Sequence, residues 1–144
     1  ANLKGRIMHM ALFVRDLEKE AAFYQAVFGL KHLGYDHQPM GSAIYLTDGT
    51  TNMALIRPGM PEDKYKPGAN HCGFQVADLQ AAEADIAKAG GSFFFDFGDA
   101  KHGNFEKKFK DHDGVVFDIS KHGWVGTPTY TAKKADAAEM QPAK

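Results

Sequence analysis

Residues 9–17 read HMALFVRDL, and residues 71–79, which lie 62 positions later, read HCGFQVADL. The two segments share an opening histidine and then a valine, an aspartate and a leucine at equivalent positions. A repeat with a period of about half the chain indicates two copies of one structural unit. The repeat therefore predicts two similar halves, each opening with a strand that carries a histidine.

The residues around the first copy predict a β-α-β-β-β order. Residues 7–14 are apolar and rich in strand formers, so we expect a strand buried on both faces. Asp16 can cap a helix over Leu17–Phe28, and Gly29 can end that helix in a left-handed conformation. Three further strands are predicted at about residues 31–35, 43–47 and 52–57.

The second copy is predicted to repeat this order. A strand is expected at 71–76, a helix capped by Asp78 at 79–89, and strands at 92–96, 105–110 and 115–120. The predicted fold class is therefore α+β, with two β-α-β-β-β modules forming a curved mixed eight-stranded sheet, or cup. We expect the modules at residues 5–59 and 71–124, a polar linker at 60–70, and a mobile C-terminal tail at 125–144.

Composition narrows the function classes. The 144 residues are enough for one domain, and a formal net charge of −1 argues against binding to nucleic acid or to an anionic membrane. No apolar run is long enough to span a bilayer, and no signal-type segment opens the chain, so a cytoplasmic location is expected. The single cysteine, Cys72, excludes an internal disulfide, and its strand position predicts a buried small apolar residue.

Strand alternation places the polar residues of the repeat on one face of the sheet. His9 shares its face with Ala11, and His71 shares its face with Gly73, so small residues leave room beside each histidine. In the last strand, Asp118 faces the same side. A carboxylate in an apolar strand is costly to bury unless a cation or hydrogen bonds compensate it.

Two histidines and an aspartate on one concave face predict a metal site with positions left for water or substrate. In a competing interpretation, the histidines are structural and Asp118 pairs with His71, Lys110 or Lys121. The position related to Asp118 by the repeat is Ile56, so the protein would supply three ligands and not four. The run Asp111–Gly114 also resembles a metal cluster, but a hairpin turn is the preferred interpretation.

The two histidine strands and the stretch DHDGVVFD at residues 111–118 resemble the vicinal oxygen chelate superfamily, which includes glyoxalases, bleomycin-resistance proteins and extradiol dioxygenases. The resemblance covers about residues 5–124. The last stretch is similar to the family ending Asp-Pro-Asp-Gly-x-x-x-Glu-Leu, in which Glu binds metal. By position, the family's ligands fall on His9, His71 and Asp118. Asp118 shortens the ligand arm by one methylene, and Ile56 replaces the fourth ligand of glyoxalase I.

The resemblance implies a divalent metal ion (Fe, Mn, Ni or Zn) and a small-molecule substrate with two adjacent oxygens. Because three ligands are similar to the set of extradiol enzymes, an extradiol-dioxygenase-like activity is the first expectation. A glyoxalase-I-like lyase or isomerase and a non-catalytic drug-binding resistance protein are the alternatives. Tyr45, Tyr35 and His102 are candidates for contact with substrate, and we expect a homodimer.

Overall fold

The computed structural model describes residues 3–97 and 105–124. Within these ranges, two helices and eight strands follow the predicted order twice, which confirms the β-α-β-β-β repeat. The elements are β1 (Gly5–Phe13), α1 (Leu17–Phe28), β2 (Lys31–Gln38), β3 (Gly41–Thr47), β4 (Asn52–Pro58), β5 (Gly68–Val76), α2 (Leu79–Lys88), β6 (Ser92–Phe97), β7 (Glu106–Lys110) and β8 (Val116–Ser120).

Both helices begin where the repeated aspartates predict. The Asp16 carboxylate accepts a hydrogen bond from the Lys19 amide at 3.1 Å, and Asp78 accepts one from the Ala81 amide at 3.0 Å. Such bonds satisfy amide groups of the first turn that have no partner within the helix. Helix α1 ends at Gly29, whose φ of 68° lies in the left-handed region.

The eight strands form one mixed sheet in the order β2-β3-β4-β1-β5-β8-β7-β6. The modules meet where β1 runs antiparallel to β5, and each of these central strands is parallel to the last strand of its own module. The predicted fold class, an α+β cup with a mixed eight-stranded sheet, is therefore confirmed. Its two equivalent central strands place the histidines of both modules near each other.

Two separate apolar clusters lie under the helices, one in each module. The first contains Leu17 and Ala21 of α1 packed on Ile44, Leu46 and Leu55. The second is built on buried side chains of the second module, with α2 residues packed against them: Val76, Phe109, Ile119, Leu79, Ala82 and Ile86. Each module thus carries its own core beneath its helix.

The centre of the convex face is not covered by either helix, and here the sequence expectations were wrong. Cys72 is exposed and not buried. The side chains of Ile7 and Met10 are 59% and 40% exposed, so the first strand is not buried on both faces. Met10 and Cys72 pair across β1 and β5 on the face opposite the histidines, as alternation predicts, whereas a register irregularity between Ile7 and His9 interrupts the alternation there. Each helix covers only its own end of the sheet.

Strand β5 begins at Gly68, inside the segment predicted as a linker, and a 3₁₀ turn occupies Glu62–Lys64. The Asp111 carboxylate accepts hydrogen bonds from the amides of Asp113 and Val115, which confirms the hairpin-turn interpretation of that run. In the two described ranges, neither helix is long and apolar enough to cross a membrane. The predicted C-terminal tail lies outside the described residues.

Candidate metal centre and substrate cavity

Three neighbouring strands place the predicted ligands next to one another. His9 lies on β1, His71 on β5 and Asp118 on β8, and Gly73 pairs with both His9 and Asp118 across the sheet. A Cβ atom built on Gly73 would collide with the His9 ring and lie 2.5 Å from Asp118 Oδ1. The small residue therefore provides the room that the sequence predicted.

The ligand atoms converge at the centre of the sheet. His9 Nε2 lies 3.5 Å from Asp118 Oδ1, and His71 Nε2 lies 3.2 Å from Asp118 Oδ2. One ligand atom from each of the three residues lies within 4.8 Å of the other two. Asp118 is fully buried, and both histidines are largely so.

Neighbouring side chains hold each imidazole in place. His71 Nδ1 lies 2.7 Å from Asn70 Oδ1, so Nδ1 carries the proton and donates it, which leaves Nε2 free to bind a cation. The His9 ring meets the Trp124 ring edge-on, with 4.3 Å between centroids. Sequence reasoning missed Asn70 and Trp124, although Asn70 directly precedes His71.

The chemistry of this set fits a divalent ion. Asp118 Oδ1 is buried and has no hydrogen-bond partner among the described residues, and the same holds for His9 Nδ1. An unsatisfied buried carboxylate oxygen costs free energy that a bound cation would recover. Two imidazoles and one carboxylate are ligands that suit first-row transition ions.

Lys108 is the charged partner that sequence reasoning missed. Its Nζ lies 2.9 Å from Asp118 Oδ2, 3.2 Å from Glu106 Oε1 and 3.4 Å from His71 Nε2. Among the ion pairs of the described residues, Asp118 pairs with His71, as one alternative predicted, but not with Lys110 or Lys121. The hairpin register places Lys108 directly opposite Asp118.

The electrostatics of the site favour its charged forms. Burial alone would raise the pKa of Asp118, but the neighbouring His71 and His9 imidazoles and the Lys108 ammonium hold that pKa well below its ordinary value. Burial likewise opposes the charge on Lys108, yet Glu106 and Asp118 outweigh it and raise the lysine pKa. The Glu106 carboxylate also accepts a hydrogen bond from Trp124 Nε1 at 2.7 Å.

The concave face encloses a cavity of about 460 Å³. His9, His71 and Lys108 line one part of the cavity. Ile56, which occupies the position of the fourth ligand of glyoxalase I, also lines it. Most of the remaining wall is apolar and includes Phe13, Met40, Ala54, Pro58, Phe94 and Phe97. The cavity thus combines an apolar wall with a few convergent polar groups, as small-molecule sites do.

Of the residues predicted to contact substrate, Tyr45 lines the cavity. Burial, followed by the negative charges of Asp36 and Glu106, raises the pKa of the Tyr45 phenol above its ordinary value. The phenol therefore stays protonated and can act as a hydrogen-bond donor. Tyr35 is more than half exposed, and His102 lies outside the described residues.

A family model described as Glyoxalase/Bleomycin resistance protein/Dioxygenase superfamily matches residues 6–119. The chain belongs to this superfamily. The human mitochondrial methylmalonyl-CoA epimerase is 31% identical over 94 residues, covering 58% of this chain and 53% of the epimerase. The chain thus matches about half the length of that relative. A probable lactoylglutathione lyase of Vibrio parahaemolyticus is 29% identical over 131 residues, covering 80% of this chain and 89% of the lyase.

Solved structures share the fold at lower identity. Methylmalonyl-CoA epimerase from Mycobacterium tuberculosis has a TM-score of 0.71 at 18% identity, covering 92% of this chain and 91% of its own. A Streptomyces coelicolor methylmalonyl-CoA epimerase in complex with 2-nitronate-propionyl-CoA has a TM-score of 0.67 at 20% identity. The match covers 81% of this chain and 96% of the epimerase. These similar proteins carry the names of epimerases and of a lyase, and not the name of a dioxygenase.

Proposed function

We propose that the chain is a divalent-metal enzyme that moves a proton on a carbon next to a carbonyl of a small substrate, as epimerases and lyases of the superfamily do. The convergence of His9, His71 and the buried Asp118, with both histidines on the wall of one cavity, carries this proposal. The names of the similar proteins support proton transfer over the extradiol chemistry that the ligand count first indicated. The names of the relatives also suggest two compounds to test as substrates, methylmalonyl-CoA and lactoylglutathione.

Different residues of the chain have different roles in this proposal. A bound divalent ion would supply a Lewis acid that polarises substrate oxygens and acidifies the neighbouring C–H bond. His9, His71 and Asp118 would hold the ion, and the neutral Tyr45 phenol, which donates a hydrogen bond to Asp36, lies on the same cavity wall. The apolar wall excludes water, which strengthens each of these electrostatic interactions.

The reaction needs a proton acceptor, and the cavity wall offers the carboxylates of Asp36 and Glu106. Glu106 is engaged by Lys108 and Trp124. Asp36 is held by neutral groups: Gln38 donates a hydrogen bond to its Oδ2, and the Tyr45 phenol donates one to the carboxylate. We therefore assign the proton acceptor to Asp36, and Asp36→Asn should abolish exchange of substrate hydrogen with solvent deuterium while metal content stays at one ion per chain.

The metal centre is tested by elemental analysis of purified variants. Wild type should hold about one divalent ion per chain, and His9→Ala and Asp118→Ala should each lose it because a two-ligand site binds far more weakly. His112→Ala, in the exposed β7–β8 turn, is the matched control and should keep it. Unchanged metal content in both ligand variants would refute the assignment.

Extradiol dioxygenation is the second candidate, and Ile56 is the observation that favours it. With an apolar side chain there, three protein ligands leave room for a bidentate substrate and O₂. Iron or manganese in anaerobically purified protein, with cleavage of a catechol, would favour this candidate. Nickel or zinc with proton exchange would favour the first candidate, and ligand binding without either activity would favour a drug-binding protein.

We also propose a homodimer. The exposed side chains of Met10 and Cys72, which pair across β1 and β5, support it, because adjoining exposed apolar side chains mark interaction surfaces. Sedimentation equilibrium should give twice the chain mass, and Met10→Lys should shift the population toward monomer. A wild type that sediments as a monomer at micromolar concentration would contradict the proposal.

A further inference from the structure

The Lys108 ammonium lies against two of the side chains that are proposed to bind the metal ion. Its Nζ lies 2.9 Å from Asp118 Oδ2 and 3.4 Å from His71 Nε2. Asp118 is fully buried, whereas Lys108 lines the cavity beside it. An ion approaching from the cavity therefore meets the lysine charge at the carboxylate that it has to bind.

A second carboxylate, that of Glu106, offers the Lys108 ammonium an alternative counter-ion. Glu106 lies two residues away on the same strand, and its Oε1 is 3.2 Å from the same ammonium. Trp124 holds the other oxygen of Glu106 at 2.7 Å, so this carboxylate is fixed in place. The ammonium can release Asp118 and still keep Glu106 as a counter-ion.

The two cations cannot share Asp118 without a penalty. A dication and an ammonium a few ångströms apart repel strongly in a site from which water is excluded, since Coulomb energies rise as the effective dielectric constant falls. The ammonium also compensates Asp118 before any ion arrives, so the ion gains less by binding there. Because of both effects, the site should bind metal more weakly than a site with the same three ligands and no lysine.

We propose that Lys108 competes with the divalent ion for Asp118, so that loading of the metal centre is an exchange in which the ammonium moves from Asp118 to Glu106. This inference rests on the proposed metal centre formed by His9, His71 and Asp118. Lys108 is then the residue that sets metal affinity. After exchange, it leaves a second positive charge on the cavity wall beside the ion.

The test titrates metal-free protein with Co²⁺, following visible absorption and the heat of binding. Lys108→Met keeps the length of the side chain and removes its charge, so Co²⁺ should bind at least about tenfold more tightly than to wild type. Lys108→Arg keeps the charge and should stay within about threefold of wild type. Lys110→Met removes a lysine that packs on Phe94, with Nζ 4.1 Å from the ring centroid, and should also leave the affinity unchanged.

The outcomes separate this inference from the metal centre itself. If wild type binds one Co²⁺ that His9→Ala abolishes, but Lys108→Met binds equally or more weakly, the competition is refuted and the centre stands. If neither wild type nor Lys108→Met binds Co²⁺, the centre and the inference both fail. If Lys108→Met is unfolded without metal, folding recovered by added Co²⁺ supports the competition, and a variant that stays unfolded at saturating Co²⁺ counts against it.

Discussion

The size of residue 73 controls how closely the side chains of the proposed ligands His9 and Asp118 can approach each other. Gly73 lies between His9 and Asp118 on the central strands, and a Cβ there would overlap the His9 ring. The backbone around Gly73 is rigid sheet, so the ring and the carboxylate would have to move instead. A single methyl group can therefore separate ligands that come from both modules.

Gly73→Ala is expected to weaken Co²⁺ binding at least tenfold and to destabilise the fold by about 1–3 kcal/mol, the usual range for overpacking. Gly34→Ala is the matched control, since that strand glycine also lines the cavity but a Cβ atom added to it would meet no neighbouring atom within 4 Å. Its stability should change by less than about 1 kcal/mol. Calorimetric titration and urea unfolding measure the two effects, and equal behaviour of the two variants would contradict the steric argument.

At the scale of elements, the β3–β4 hairpin shows how one carboxylate organises a turn. Asp48 Oδ1 accepts hydrogen bonds of 2.8 Å from the amides of Thr50 and Thr51 and from the Thr50 hydroxyl. These bonds, with the Thr51 amide contributing most, lower the pKa of Asp48 below its ordinary value. The hairpin fixes the register of β3 on β4 and hence the position of Tyr45 in the cavity.

Asp48→Ala should lower the free energy of unfolding by about 1 kcal/mol at pH 7, the typical worth of such a turn cap. Because the folded-state pKa is lowered, this contribution is present above the unfolded pKa of about 3.9 and is lost as pH falls through the folded value. Urea unfolding from pH 7 to pH 3 should therefore show the difference between wild type and variant shrinking. Asp48→Asn keeps an acceptor without a titrating charge, and its stability difference from Asp48→Ala should not vary with pH.

At the scale of the whole molecule, the proposed metal centre joins the two modules. His9 comes from the first module, whereas His71 and Asp118 come from the second, and each module has its own apolar cluster. A cation bound across the β1–β5 junction would therefore stabilise the folded state of both halves together.

A free metal concentration about 100 times the Kd should raise the free energy of unfolding by roughly 2.7 kcal/mol. For a chain of this length we expect a rise in Tm of roughly 5–10 °C with a single transition, reversed by a chelator. Differential scanning calorimetry measures this shift. His9→Ala should show no rise, and an equal rise in that variant would place the stabilising ion elsewhere.

Much of the fold, and the proximity of His9, His71 and Asp118, could be predicted from the sequence, because the signals are local. The repeated histidines and aspartates and the helix-ending Gly29 depend on neighbouring residues and describe the structure correctly. Period-two alternation does so except where β1 is irregular between Ile7 and His9. Alternation placed His9, His71 and Asp118 on one face because side-chain direction in a strand follows from the backbone alone. The roles of Tyr45 and His102 toward substrate stay predictions.

The tertiary structure decided what lies around those ligands. Lys108 reaches Asp118, and Trp124 contacts His9, through hairpin register and side-chain length that no local pattern contains. Cys72 and Met10 are exposed because the helices dock over the two ends of the sheet and leave its centre uncovered. Sequence by itself determined that His9, His71 and Asp118 face one side of the sheet, since side-chain direction is a property of each strand. Long-range packing decided which charged groups surround them, because it brings together strands that are far apart in the chain.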